Sequence, residues 1–462
     1  MSSASGKSKY EIDMCNGSLM DKLVSFSLPL MLSGILQLLF NAVDLVVVGK
    51  FSGSDALAAV GATTALINVF INLFIGVSLG TNVLAARFFS SGRDKEMAET
   101  VHTSITFALI SGIVMMFVGF FCAHGALALM QTPENIIGKS TLYMRIYFLG
   151  MPFFMVYNYG AAILRAVGDT KRPLYFLVIS GVLNAGLNLF LVKFFRMGVA
   201  GVAIATVISQ LVSCVLVLRC LCRTGGSYQL HFSKLMLKGI YLKQIFQVGI
   251  PAGIQSTVIT FSNVLLQSSV NSFGSVAMAG YTAANNIFGF LYVAVNSITQ
   301  TCMSFTSQNY GVGKWKRMDR VLMDCILLSL GVTFVLGGGA CVFGKELLHI
   351  YTSDPDVIVC GQEILLYTTA TYFLCGIMDL IPGSLRGMGH STVPMILSVI
   401  GTVGMRLVWI YGFFPYHRSL RFLFISYPAS WLLTILMQVV CFYFVRRKVY
   451  RGLKLRENPK QA

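Results

Sequence analysis

The sequence predicts an all-α polytopic membrane protein: twelve transmembrane helices in two six-helix lobes, related by a pseudo-twofold along the membrane normal. Three observations predict it. Of 462 residues, 55% are hydrophobic and 11% charged, where a soluble domain carries roughly 25% charged. Apolar runs long enough to cross lipid recur along the whole length. The second half of the chain also repeats motifs of the first. Such a composition excludes a soluble enzyme, and the mean hydropathy of +0.73 agrees.

A spanning helix needs about 20 mainly apolar residues. Apolar runs bounded by charges, Gly and Pro predict spans at residues 23–48, 56–86, 101–123, 141–164, 173–195, 198–218, 245–272, 277–308, 322–344, 360–385, 393–414 and 422–445. All are helical, because backbone amides in lipid must be satisfied within their own segment, and barrel strands would alternate polar and apolar residues. The domain reading is a cytoplasmic segment 1–22, a first lobe 23–222, a linker 223–243, a second lobe 244–446 and a basic tail 447–462.

The net charge of +17 would suggest nucleic acid in a soluble protein, but its placement excludes that. From Gln244 to Gly313, 70 residues contain no Asp, Glu, Lys or Arg. With the N-terminus cytoplasmic, the inner side collects 26 basic residues, including Lys7, Lys9, Arg172, Arg219, Arg223, Arg386 and Lys460, against 7 outside; Arg145 and Arg406 fall within spans. By the positive-inside rule both termini are cytoplasmic, in a multi-pass cell-membrane protein.

Ile163-Leu164-Arg165-Ala166-Val167-Gly168-Asp169-Thr170-Lys171-Arg172-Pro173 aligns with Ser384-Leu385-Arg386-Gly387-Met388-Gly389-His390-Ser391-Thr392-Val393-Pro394 at an offset of 221. Pro29 meets Pro251, and Asn41 meets Asn263, at 222. Six is even, so the second half enters the membrane in the same sense as the first. This is the parallel-repeat plan, which predicts a central cavity and alternating access.

No phosphate-binding loop, HExxH or nucleophile triad is present, so neither catalytic residues nor a cofactor are expected. The 11 cysteines include no CxxC pair and read as small hydrophobes. Polar groups inside spans are expensive in lipid and mark function. In the first span Ser33, Gln37, Asn41 and Asp44 share one helical face. The fifth span supplies Asn184 and Asn188 one turn apart; the sixth supplies Thr206 and Gln210. Carboxylate, amide carbonyls and hydroxyl form an all-oxygen set, suited to a hard cation such as sodium or to a proton-coupled network. The alternative is polar glue between helices.

In the second half, Asp379 shares a face with Cys375, Tyr372 and Thr368, and Arg406 stands above Thr402 and Ser398. Two readings stay open: a buried Asp379–Arg406 ion pair, or an Asp379 that titrates or meets a cationic substrate. Asn263 with Gln267 and Asn271, and Gln300 with Asn296 and Ser304, form uncharged stripes that line a cavity or join helices. Gln37, Asn41, Asn263, Gln300, Asp379 and Arg406 are thus candidates for a substrate cavity or proton relay.

Val43-Asp44-Leu45-Val46-Val47-Val48-Gly49, the doubled Leu-Arg-x-x-Gly-x-x-x-x-Pro motif, and Gly198-Val199-Ala200-Gly201-Val202-Ala203-Ile204-Ala205-Thr206 together resemble the multidrug and toxic compound extrusion (MATE) family over essentially the whole chain. The resemblance implies two V-shaped lobes and cation-coupled antiport that exports amphipathic, often cationic compounds. It also implies a first-lobe cation site at Asp44, Asn184, Asn188 and Thr206, with sodium or a proton as coupling ion. Asp379 matches an acidic position in one branch of the family. Two departures stand out: many relatives carry an acid in place of Asn188, and the seventh span has none.

The expected partners are small amphipathic molecules and membrane lipids, with no nucleic acid, and the chain is expected to be a monomer. A lipid-linked oligosaccharide flippase of the same superfamily would need clustered midplane Arg or Lys, and only Arg145 and Arg406 lie within spans. A major-facilitator transporter would share the parallel plan, but its basic loop signature is echoed only by Gly92-Arg93-Asp94-Lys95.

Overall fold

The computed structural model describes residues 10–457, and every regular element among them is helical. Lys7, Lys9 and Lys460, counted in the charge bias, lie outside the described residues, as do the start of the expected N-terminal segment and the end of the tail. The described chain forms two compact units. One holds Leu32–Gly249 with the residues before Met14; the other holds Met14–Met31 and the residues from Ile250. The division therefore falls inside two helices, beside Pro29 and Pro251, where a proline removes a backbone hydrogen bond. Composition alone places the boundary at the more polar 223–243 linker.

The first unit takes most of α1 (Met20–Ser52), then α2 (Ser54–Ser90), α3 (Asp94–Leu129), α4 (Glu134–Leu149), α5 (Met151–Ala166), α6 (Lys171–Leu189) and α7 (Gly198–Arg223), and the opening turns of α8 (Gly239–Asn271). Helices α2, α3 and α7 pack around α5, whose Tyr159 and Met155 are fully buried. The predicted fourth span is a bent pair, α4 and α5, meeting at 48°. Gly150 stands at the joint, and Pro152 supplies no donor to the preceding turn. Helix α6 runs on into a π turn, Phe190–Phe194.

Two glycine sites set the packing here. Gly168 has φ +99, and a Cβ on it would stand 2.5 Å from the Ile12 carbonyl oxygen. Its own carbonyl accepts from the Ile12 amide at 3.3 Å, so the segment around Ile12 lies directly on the turn between α5 and α6. Helices α2 and α8 meet backbone to backbone: a Cβ on Gly80 would lie 2.1 Å from the Ile245 carbonyl oxygen, and one on Gly249 2.5 Å from Val77 Cα. Such small residues are what lets helices approach in lipid.

The expected linker is docked onto the first unit. Tyr228 and Leu230 are buried. The Tyr241 hydroxyl donates to Glu99 at 2.7 Å, Lys238 pairs with the same carboxylate, and the His231 amide donates to His102 Nε2 at 3.1 Å.

The second unit contains the rest of α8 and α9 (Ser275–Gly311), α10 (Trp315–Val342), α11 (Gly344–His349), α12 (Pro355–Thr369), α13 (Tyr372–Gly387), α14 (Thr392–Ser398), α15 (Met405–Val408) and α16 (Leu420–Glu457). Helices α10, α12 and α13 pack on α9. Phe26, from the start of α1, stacks edge-on against Phe305 at 5.5 Å. The predicted tenth span is again a bent pair, α12 and α13, at 44°. At the joint the Thr371 hydroxyl donates to the Tyr367 and Thr368 carbonyls, at 3.1 and 3.3 Å, replacing partners that the break removes. The eleventh span is interrupted by π turns at Val399–Gly404 and Trp409–Phe413.

Among the described residues nine helices are long and apolar enough to cross a membrane, or eleven spans if each bent pair counts as one. Helix α9 is outside that count because of its many Ser, Thr, Asn and Gln side chains, several of them buried.

Candidate functional site

In the first unit Asp44 on α1, Asn184 and Asn188 on α6 and Thr206 on α7 converge. The steps of four that align Asn184 with Asn188 face α1 and α7 together, and both amides are buried. Asn188 Nδ2 donates to Asp44 Oδ1 and, at 3.2 Å, to Asn184 Oδ1. Asn184 Nδ2 lies 3.5 Å from Thr206 Oγ1, whose own hydrogen goes to the Val202 carbonyl at 3.0 Å. Among the described residues Asn188 Oδ1 is buried without a hydrogen-bond partner, a state that costs about 1–3 kcal/mol for such a group.

Among the described residues no basic side chain forms an ion pair with Asp44. Its electrostatic neighbours are Tyr143 and Tyr147 on α4. A carboxylate without a counter-ion, beside an unused buried carbonyl and a hydroxyl, fits a hard monovalent cation. No cluster of three or more His, Cys, Asp or Glu occurs among the described residues. Gln37 and Asn41 remain exposed on α1 and make no hydrogen bond to this cluster among the described residues.

In the second unit, Asp379 and Arg406 form no ion pair among the described residues, so the expected Asp379–Arg406 bridge is not made. Arg406 is buried and committed elsewhere: Nη1 donates to Asn263 Oδ1 at 2.8 Å and to Ser262 Oγ at 3.3 Å, and the guanidinium lies 4.4 Å from the Tyr427 ring centroid. The basic neighbour of Asp379 is Arg386, two turns along α13. Arg386 donates to the buried Gln255 on α8 at 2.7 Å. Gln300 is half-buried on α9, and Asp379 is half-buried.

Charge counting places Arg386 among the cytoplasmic charges, although its position in the doubled motif sets it apart. Spacing arguments also miss Asp169 in the first copy, because it stands in a turn and not on a helical face. Asp169 is wholly buried; its Oδ1 accepts the Lys171 and Arg172 amides at 3.1 and 3.0 Å, and its Oδ2 meets Arg172 Nε. Burial raises this carboxyl above its ordinary range, against the opposing pull of Arg172. The guanidinium of Arg172 continues to Cys220 Sγ at 3.1 Å and Thr224 Oγ1 at 3.4 Å, tying α6 to the end of α7.

The MatE family profile matches residues 29–190 and again 251–411, one match in each half. The chain is similar to the "Probable multidrug resistance protein YoeA" of Bacillus subtilis, 28% identical over 92% of this chain and 93% of that one. It is similar to the "Multidrug export protein MepA" of Staphylococcus aureus, 22% identical over 82% and 84%. Among solved structures it resembles the "Outward-facing conformation of a multidrug resistance MATE family transporter of the MOP superfamily", with a TM-score of 0.87 at 21% identity over 97% and 99% of the two chains. A crystal structure of "MATE in the straight conformation" gives 0.86 at 20% identity over 97% and 100%.

Proposed function

This chain belongs to the MatE family of membrane transporters, and from that premise we propose that it is a cation-coupled antiporter exporting amphipathic, cationic compounds. It is a transporter and not an enzyme. The observation that carries the coupling role is the Asp44–Asn188–Asn184 arrangement, a carboxylate with no counter-ion beside a buried carbonyl with no donor among the described residues. Sodium would fill both needs at once; a proton on Asp44 would supply a donor to the same oxygen. We read Asp44, Asn184, Asn188 and Thr206 as the coupling site. Gln37, Asn41, Asn263, Gln300 and Asp379 are kept as candidate contacts along the substrate route, and Arg406 as a fixed charge held by Asn263.

In this reading the helices make twelve spans, α9 among them despite its many polar side chains. The two six-span halves are related as parallel repeats, and both termini are cytoplasmic. A ligand shifts a conformational equilibrium only by its differential affinity for the two states. Inward cation flow therefore drives export if the cation and the drug favour opposite-facing states.

The test is uptake of a fluorescent cationic dye into proteoliposomes under separately imposed sodium and pH gradients. Gradient-dependent accumulation is expected with one of the two ions; no accumulation with either would overturn the proposal.

A further inference from the structure

At one end of the first unit a cleft of about 690 Å³ opens between the start of α6 and the end of α7. Three arginines line it: Arg172, Arg219 and Arg223. Arg172 is held in place by Asp169, Cys220 and Thr224. Arg219 and Arg223 stand one turn apart on α7, exposed, with no hydrogen bond or ion pair to other side chains among the described residues. Among the described residues the one acidic side chain in the lining, Glu11, accepts the Tyr228 hydroxyl at 2.6 Å, so this lining carries a net positive charge.

The depth of the cleft matters as much as its charge. Lys171–Phe194 and Gly198–Arg223 are both candidate spans, and Arg172, Arg219 and Arg223 occupy their last polar turns at a shared end. One turn deeper, the walls are Phe176 and Leu216. Cation above and hydrocarbon below is the profile of a lipid headgroup with the start of its acyl chain. Basic pockets between spanning helices on the cytoplasmic side recognise anionic lipid headgroups, and the distribution of charge puts this end on that side.

We propose that this cleft is a binding site for the phosphate headgroup of an anionic phospholipid, gripped by Arg219 and Arg223 against the fixed guanidinium of Arg172. The site depends on the chain spanning a membrane and is independent of whether it works as an antiporter. Through Arg172 and the residues around Glu11, an occupied site would brace the α5–α6 turn.

The probe is phosphatidylglycerol added to the delipidated full-length protein in detergent, with retained lipid counted by native mass spectrometry. One tightly retained molecule per chain is expected, with phosphatidylcholine retained far more weakly. The double variant Arg219→Gln/Arg223→Gln touches exposed side chains without partners among the described residues. It should weaken retention roughly 30-fold, from the contribution typical of two interfacial arginines. Lys234→Gln/Lys243→Gln removes equal charge from exposed positions of the same unit and should leave retention unchanged. Equal loss in both variants, or no loss in the arginine pair, would overturn the site. Displacement of the lipid by millimolar inorganic phosphate would reassign the cleft to a soluble phosphate and overturn the lipid assignment.

Discussion

The side-chain amide of Asn188 donates to the carboxylate of Asp44, joining α6 to α1 across 144 positions of sequence. Asn188 thereby turns its hydrogens toward acceptors, and its oxygen has no donor among the described residues. The pair carries one negative charge and, among the described residues, one buried carbonyl without a donor, so each can be removed or strengthened separately.

Asp44→Asn keeps the size of the side chain and one acceptor oxygen for Asn188 but removes the charge. Hydrogen bonds to charged groups contribute up to about 3 kcal/mol, so ion-driven dye accumulation should fall roughly 100-fold. Circular dichroism and the melting temperature in detergent should stay near wild type. Unimpaired transport would remove Asp44 from the coupling role.

Asn188→Asp puts a second carboxylate beside the first, and affinity for a hard cation rises with the number of charged ligands. Titration calorimetry with sodium on the purified protein should give affinity roughly tenfold higher at neutral pH. A flat or weakened response would mean that the unused oxygen of Asn188 does not face the ion.

In the second unit, Arg406 and Asn263 should be energetically coupled. Arg406→Met, Asn263→Leu and the double variant, compared by thermal melting, should give an interaction energy of about 1 kcal/mol, the scale of polar pairs between membrane helices. Asp379→Asn combined with Arg406→Met should instead be additive, because those two side chains form no ion pair.

The pair of buried Asp169 with half-buried Arg172 is a support of the first unit. Asp169→Ala takes the counter-ion from the Arg172 guanidinium and leaves two amides at the start of α6 without their acceptor, so stability should drop by about 3 kcal/mol. Adding Arg172→Met should recover part of that loss in the same melting assay. A neutral single variant would contradict the structural role.

How much of the fold and of the site is legible in the sequence depends on whether a contact obeys helical spacing. Asn184 and Asn188 lie four residues apart on an unbroken helix, so their shared face can be read directly, and their oxygen chemistry points to Asp44 and Thr206. The partner of Arg406 cannot be read that way: Asn263 and Asp379 both lie within reach in sequence terms, and only the packing of α8 against the eleventh span separates them. The bends at Gly150 and Thr371 are hidden for another reason. Hydropathy registers apolar content, and the apolar run continues straight through both joints. Gln37 and Asn41 carry the right period yet stay outside the cluster, because a stripe longer than one contact extends beyond the neighbour that gives it meaning.

The π turn at Val399–Gly404 holds one residue more per turn than the α-helix around it, and one extra residue rotates everything beyond it by about 100°. Before that turn Ser398 accepts from Gln438 on α16, and within it Thr402 sits 3.3 Å from Thr434 of the same helix; after it Arg406 reaches Asn263 on α8. The direction of a buried charge is thus fixed by counting, and the insertion or loss of a single residue in this stretch would re-aim Arg406 while leaving every side chain chemically intact.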